Sequence, residues 1–343
     1  MSVTVYPWHA SAWAEILARK SQLPHALLFK GRLGIGKLDF VRKLAQSLAC
    51  ENPETNGAAC EACQSCRWFF ASAHPDYREI QPEALRPAVD AAPASSERKP
   101  SQHIAVDEVR ELQNFINLSA HNHHGRTVVI CPAEALNVSA ANALLKNLEE
   151  PPPGLRFMLI THKPSQLPAT IISRCQQVAL PTPSLSIAEQ WLTEQGVAEP
   201  GLALAQASNA PLTARTIADD EFWGQRKLFL GAIAQSAVDG LGAAEQVKDI
   251  PVSRVLGWLQ RWTYDLVCIK SGGAVRFNPD FSMVLARIAT PLRAVEILRL
   301  HRTLLGWQRV VHHPLNTRLF IEDLLLSYCR LLKSTEHGAS HVG

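Results

Sequence analysis

No stretch of this chain stays apolar for long enough to cross a bilayer. Its opening residues, Met1 to Ala10, lack the charged segment and apolar core of a secretory signal. Export and membrane residence are disfavoured, and the chain is expected in the cytoplasm with no membrane partner. Charge of one sign is scarce as well. A formal net charge of +3 over 343 residues gives no general coat for nucleic acid, although a local patch stays open. What is present is the composition of a globular protein: 47% apolar, 19% charged, with 22 prolines and 18 glycines. The length exceeds one ordinary core and predicts two or three domains.

The next shortage is a single hydroxyl. Gly31-Arg32-Leu33-Gly34-Ile35-Gly36-Lys37-Leu38 follows the apolar run Ala26–Phe29 and leads into Asp39–Ala45, which has helical character. Strand, glycine loop and helix in that order aim backbone N–H groups and a helix N-terminus at a phosphate. Gly31, Gly34, Gly36 and Lys37 are the candidate phosphate-binding residues. Leu38 stands where a Ser or Thr hydroxyl would hold the magnesium of a bound nucleotide, and leucine cannot ligate a hard cation. Weak phosphate binding by Lys37 and the glycines stands beside the alternative of a relic loop. An acidic pair is absent too. The β-branched run Thr127–Ile130 predicts a buried strand that, in a nucleotide hydrolase, would end in carboxylates. It ends here in Cys131 and Pro132, and Glu134 lies beyond them in the following turn.

The cysteines form two groups. Cys131, Cys175, Cys268 and Cys329 are scattered and read as small core residues. Cys50, Cys60, Cys63 and Cys66 follow a C-x9-C-x2-C-x2-C spacing that suits four thiolates around one tetrahedral zinc ion. A disulfide pair is the alternative, and a reducing cytosol disfavours it. Four sulfur ligands leave no open position for water, so the predicted zinc site is structural.

Taken in order, the pattern predicts a helix over 8–19 and strands at 25–30, 77–80, 127–131, 156–161 and 176–180, alternating with helices. The expected core is therefore a parallel five-stranded α/β sheet covered on both faces. The loop helix runs to Cys50, and a short helix over Trp68 and Phe69 packs the knuckle. Residues 82–102, rich in proline, alanine and serine, read as a flexible insertion. Asp107 is the expected N-cap of a helix whose buried face is Val109, Leu112, Phe115 and Ile116. His121, His123 and His124 read as a solvated turn. Pro181–Pro183 is a linker, and beyond it only helical stripes occur. Ile187, Trp191 and Leu192 mark one, Leu202, Leu204 and Ala205 a second, and Pro211 begins a third. Longer helices are expected over 222–238, 252–270, 291–311 and 318–332, with Trp258, Trp262 and Trp307 in their core. The predicted division is 1–181, 182–218 and 219–333, followed by a disordered tail at 334–343.

Several of these stretches resemble bacterial clamp-loader subunits of the AAA+ group: the cysteine knuckle after the loop helix, Asn142–Pro152, Ser173-Arg174-Cys175 and Asn316–Leu326. The resemblance covers residues 1 to about 333. It implies a RecA-like AAA+ domain, a three-helix lid at 182–218 and an oligomerising collar at 219–333. The implied partners are ATPase (gamma/tau) and delta subunits in a five-membered ring, with the sliding clamp and primer–template DNA engaged through the complex. Leu38, Cys131 and Pro132, together with Leu212 where motor subunits carry a nucleotide-sensing arginine, match a stator that does not hydrolyse ATP within a DNA polymerase assembly. Thr161 or His162 stands at the polar sensor position. The resemblance also implies that Arg174 reaches in trans to a neighbour's ATP; a surface arginine paired with a nearby carboxylate is the alternative. Two other readings stay open: an active ATPase using Glu134, and a nucleic-acid role for the knuckle, which its mixed charges (Lys43, Arg67, Glu51, Glu54, Glu61) do not favour.

Overall fold

The computed structural model describes residues 5–86, 100–117, 125–235, 238–308 and 316–333. Most of the expected 82–102 insertion, the His121–His124 turn and the tail from 334 lie outside the described residues. The chain divides into two compact units, Met1–Ile187 and Ala188–Gly343.

The first unit holds strands β1 (Ala26–Lys30), β2 (Tyr77–Ile80), β3 (Arg126–Ile130), β4 (Leu155–Thr161) and β5 (Gln176–Ala179). They form one parallel sheet in the order β2-β3-β4-β1-β5. Its helices are α1 (Ala10–Ala18), α2 (Lys37–Ala49), α3 (Gln64–Phe70), α4 (Val106–Asn117), α5 (Val138–Glu149) and α6 (Ala169–Ile172). Because strand side chains alternate between faces, the central strands feed two cores. Leu28, Val128, Ile130, Phe157 and Leu159 pack with α4, α5 and α6. Leu27, Phe29, Val129, Met158 and Ile160 pack with α1 and α2. Phe40, Val41 and Leu44 hold α2 down with no exposed surface, and each such side chain contributes about 1.5–3 kcal/mol. β1 lies between β4 and β5, so its C-terminal loop opens at the point where the strand order reverses, the usual ligand crevice of an open parallel sheet.

Helix α4 begins at Val106, one residue before the expected cap at Asp107. Glu108 accepts from the Ala105 N–H at 2.9 Å, so a glutamate reaching back caps the helix start. At the other end Arg126 donates to the Phe115 and Ile116 carbonyls at 2.7 and 2.6 Å. The predicted face of Val109, Leu112, Phe115 and Ile116 is buried. A 3-10 turn, Pro7–His9, precedes α1 where a single helix was expected from Trp8.

After α7 (Leu185–Glu194) the second unit is helical throughout its described residues: α8 (Pro200–Gln206), α9 (Pro211–Ile217), α10 (Asp220–Ile233), α11 (Gly240–Gln246), α12 (Val252–Lys270), α13 (Ser282–Ala289), α14 (Ala294–Trp307) and α15 (Thr317–Lys333). Ile187 is exposed, and Ala188 joins Trp191 and Leu192 in their buried stripe. In α8 the buried positions are Ala203, Leu204 and Gln206 rather than Leu202 and Ala205. The single helix expected over 222–238 is shorter, and α11 and α13 were not anticipated. Gly240 and Gly242 weaken the helical signal of α11. Gly240 is there for contact, since a Cβ on it would lie 3.0 Å from the Cys329 sulfur of α15. Trp258 and Trp262 are core residues, and the Trp262 indole donates to the Tyr328 hydroxyl at 3.0 Å. Asp265 is fully buried without an ion pair among the described residues. Its carboxylate accepts instead from the backbone N–H groups of Arg276 and Asn278, each at 2.8 Å.

Candidate functional site

Gly34 and Gly36 hold positive φ angles of 77° and 84°, the left-handed region that a glycine loop needs before its helix. Gly36 precedes α2, and the Phe40 N–H makes the first helical bond to its carbonyl at 3.0 Å. A Cβ on Gly31 would meet the Leu180 carbonyl oxygen at 2.8 Å, so that position tolerates only a bare backbone. Leu38 is half-buried and packs against the core of this face of the sheet.

The Lys37 ammonium lies beneath the loop, 3% exposed, and donates to the Gly31 carbonyl at 2.7 Å and to the Arg32 carbonyl. Burial pulls its pKa down to about 8, while Cys131 and Glu134 act in the opposite direction. Glu134 sits in the short turn Ala133–Ala135, where one oxygen accepts from the His162 N–H at 2.9 Å. The other oxygen is buried with no partner among the described residues. Of the two sensor candidates, His162 has Lys37 and Glu134 within electrostatic reach, and burial holds its imidazole down at about 4. Thr161 accepts from the Lys163 N–H at 3.1 Å and is wholly buried. Cys131 is buried at the end of β3, its thiol pushed up to about 12 by burial. Apart from Glu134, no carboxylate is placed beside Lys37 among the described residues.

The sequence reading missed a cover of rings. The Tyr6 ring lies against Gly36, where an added Cβ would fall 2.3 Å from it, and its hydroxyl donates to Asp39 at 2.9 Å. Trp8 stacks on Tyr6 and donates to the Ile35 carbonyl at 2.9 Å. His9 is fully buried edge-on against Phe40, and neither ring nitrogen has a partner among the described residues. Burial, then Lys37, hold its pKa down at about 4. The only signal in the sequence was the aromatic run Tyr6-Pro7-Trp8-His9 ahead of the first helix.

The four knuckle cysteines converge with ligand atoms within 4.8 Å of one another. The Cys50 sulfur is 3.5 Å from that of Cys60 and 3.9 Å from that of Cys63. A tetrahedral zinc with ordinary zinc–sulfur bonds needs sulfurs about 3.8 Å apart, so the cluster fits a metal ion. Backbone N–H groups of Cys60, Cys63 and Cys66 donate to the sulfurs of Cys50, Cys60 and Cys63 at 3.3–3.4 Å, the arrangement that stabilises thiolates. The pedestal is rigid: Ser65 donates to the Ala49 carbonyl and contacts His74, and Lys20 donates to the Ser47 and Gly57 carbonyls. Phe69 packs on His74 and Tyr77, as expected of a structural ring. Lys43 is paired with Glu61.

Arg174 follows α6. Its guanidinium forms an ion pair with Glu149, at the end of α5, and donates to the Thr170 carbonyl at 2.9 Å. The alternative anticipated for this residue, pairing with a nearby carboxylate, is therefore realised within the chain. Glu149 lies in the Asn142–Pro152 stretch, and nothing in the linear order links it to Arg174.

This geometry matches what comparison with known proteins returns. The family model described as DNA polymerase III, delta subunit, matches residues 10–184, the sheet, loop and knuckle. The DNA polymerase III subunit delta' of Pseudomonas aeruginosa is 32% identical over 341 residues, covering 95% of this chain and 98% of that one. The Escherichia coli subunit of the same name is 30% identical over 336 residues, covering 94% of each chain. The Escherichia coli tau subunit is 33% identical over 185 residues, half of this chain and 26% of that protein. Full-length likeness to the one and half-length likeness to the other place the chain with the former, and it belongs to the delta' family of DNA polymerase III subunits.

Proposed function

We propose that the chain is a stator of the DNA polymerase III clamp loader, one that does not hydrolyse ATP and that serves a neighbouring ATPase subunit in trans. The observation that carries this reading is the loop itself. Its glycines are in place, but Lys37 spends its hydrogen bonds on the carbonyls of Gly31 and Arg32, and a half-buried Leu38 occupies the magnesium-ligand position. With no hydroxyl for magnesium and no acidic pair, the chain lacks the groups that neutralise developing charge on a transferred phosphoryl.

On this reading Arg174 is carried at the edge of the fold to reach the γ-phosphate bound by an adjacent gamma or tau subunit. Guanidinium suits that task because it stays ionised and forks onto two oxygens. Cys50, Cys60, Cys63 and Cys66 hold a structural zinc ion, which supplies cross-linking rather than chemistry. Residues 182–218 act as the lid and 219–333 as the collar that joins the delta and ATPase subunits in a five-membered ring around primer–template DNA. The setting is the cytoplasm, and the described helices include none long and apolar enough to cross a membrane.

The test is steady-state ATPase of the purified chain and of the reconstituted complex with clamp and primed DNA. No turnover is expected from the chain alone; robust turnover would sink the stator reading. One observation favours a second reading, in which the chain itself hydrolyses ATP. Glu134 has an unpartnered buried oxygen and lies within electrostatic reach of Lys37. Glu134→Gln would abolish turnover by the isolated chain if that reading held.

A further inference from the structure

Within the second unit, one buried polar network ties the short helix α8 to the long helices that follow it. It starts from Asp265 on α12, whose carboxylate accepts from three consecutive backbone N–H groups, those of Arg276, Phe277 and Asn278, at 2.8, 3.1 and 2.8 Å. The loop between α12 and α13 is thereby wrapped on a buried charge. The Asn278 side chain is held in turn between two opposite charges. Its amide nitrogen donates to Asp265 at 2.8 Å, and its oxygen accepts from Arg226 of α10 at 2.9 Å. Turning the amide over would set its nitrogen against a guanidinium and its oxygen against a carboxylate, so only one orientation is allowed. Arg226 also forks onto Asp280 at 2.7 and 2.8 Å.

Helix α8 enters this network through Gln206. The Gln206 amide nitrogen donates to the Phe277 carbonyl at 2.5 Å and to the Asn278 oxygen at 3.3 Å. Its oxygen has no partner among the described residues, so all of its bonding is directed at the loop. Gln206, Arg226, Asp265 and Asn278 are each at most 3% exposed, and water is not at hand to replace a lost partner. Helix α8 also packs on the 3-10 turn Pro279–Phe281, and Ile217, which ends α9, lies against the core around Trp258. Apolar contact alone lets packed helices slide past one another. A buried hydrogen-bond network has one geometry, and sliding breaks several of its bonds together.

We infer that the network is a latch that makes α8 and α9 one rigid body with α10, α12 and α13, so that the short helices do not move separately from the bundle after them. The division expected from the sequence puts a boundary between 218 and 219, across which a lid would swing against a collar. The latch removes that freedom, and the compact unit that begins at Ala188 has no boundary there. Asn278 is its keystone, since it alone meets the carboxylate, the guanidinium and the Gln206 amide. The inference stands on the second unit by itself and does not depend on the phosphate loop, the cysteine cluster or Arg174.

The experiment is native-state amide hydrogen exchange of the purified full chain in low, rising concentrations of urea, resolved helix by helix. If the helices are one body, the hydrogen-bonded amides of α8 and α9 open only together with those of α12, with the same protection and the same urea slope. Gln206→Met keeps the length of the side chain and releases α8 from the loop. In that variant α8 and α9 are expected to exchange at least about tenfold faster, with a shallower urea slope of their own, while α12 keeps its protection. The wild-type measurement decides the matter even if the variant folds poorly: a separate, shallower opening of α8 and α9 in the wild type means that no latch exists. The inference fails equally if α8 and α9 of Gln206→Met still open only with α12. It fails too if α12 loses as much protection as α8, which would make the network a general support of the core.

Discussion

Separating Arg174 from Glu149 tests the trans-acting role more sharply than removing either alone. The two side chains pair while 32% and 47% exposed. A pair so accessible to water contributes about 0.2–1 kcal/mol. A trans arginine that accelerates phosphoryl transfer by about 10³–10⁵ contributes about 4–7 kcal/mol to the transition state. Glu149 therefore holds the guanidinium without locking it, and on the proposed trans role the gain in the transition state exceeds the cost of breaking the pair. Glu149→Gln should change unfolding free energy by no more than about 1 kcal/mol and leave the ATPase of the reconstituted complex at or above wild type, by at most about fivefold. Arg174→Ala should leave folding and assembly intact while silencing the adjacent site. Total turnover then falls less than clamp loading, since several sites share the first and loading needs all of them. Arg174→Lys should recover little, because an ammonium lacks the fork. The assays are denaturant unfolding, size-exclusion chromatography of the complex, and steady-state ATPase with clamp loading on primed DNA. Wild-type rates from assembled Arg174→Ala complexes would refute the role. Equal damage from Glu149→Gln and Arg174→Ala would reduce the pair to a structural contact.

Cys60→Ser should release about one zinc ion per chain and lower the melting temperature of the first unit, because metal binding and local folding are linked; metal analysis and thermal scans check this, and a zinc-free, fully stable wild type would refute it. Lys37→Ala removes two hydrogen bonds to loop carbonyls and should cost about 1–3 kcal/mol of stability, yet leave most of the complex's ATPase; a loss equal to that of a motor-subunit lysine variant would overturn the stator reading. The pKa of His9 falls from 6.5 in the unfolded chain to about 4 in the folded one. The neutral ring is the folded form, so its contribution is fully present above pH 6.5 and is lost as pH falls toward 4. Between pH 7 and 5 that amounts to roughly 2 kcal/mol. Urea unfolding of wild type and His9→Phe at both pH values should show a smaller pH dependence in the variant.

The parallel sheet was legible from the chain because buried strands announce themselves locally. Thr127–Ile130 and Ala26–Phe29 are apolar runs bounded by turn residues, and the glycine loop and C-x2-C spacings place their groups within a few residues of each other. The cysteine cluster needed no long-range information, since residues 50–66 close on themselves. Long helices such as Val252–Lys270 were equally plain, as their apolar period persists over several turns. Short helices were not. Gly240–Gln246 has two glycines and little period of its own, and it is helical because α15 packs against it at Gly240. Strand order, the ring cover of Tyr6 and Trp8 over the loop, the burial of His9, and the pairings of Arg174 with Glu149 and Glu134 with His162 join residues far apart in the chain, from Tyr6 with Asp39 to Leu27 of β1 with Gln176 of β5. Local pattern carries the energy of elements, each of which senses only its neighbours in sequence. Which charges meet depends on how several elements pack at once, and that was decided only in three dimensions.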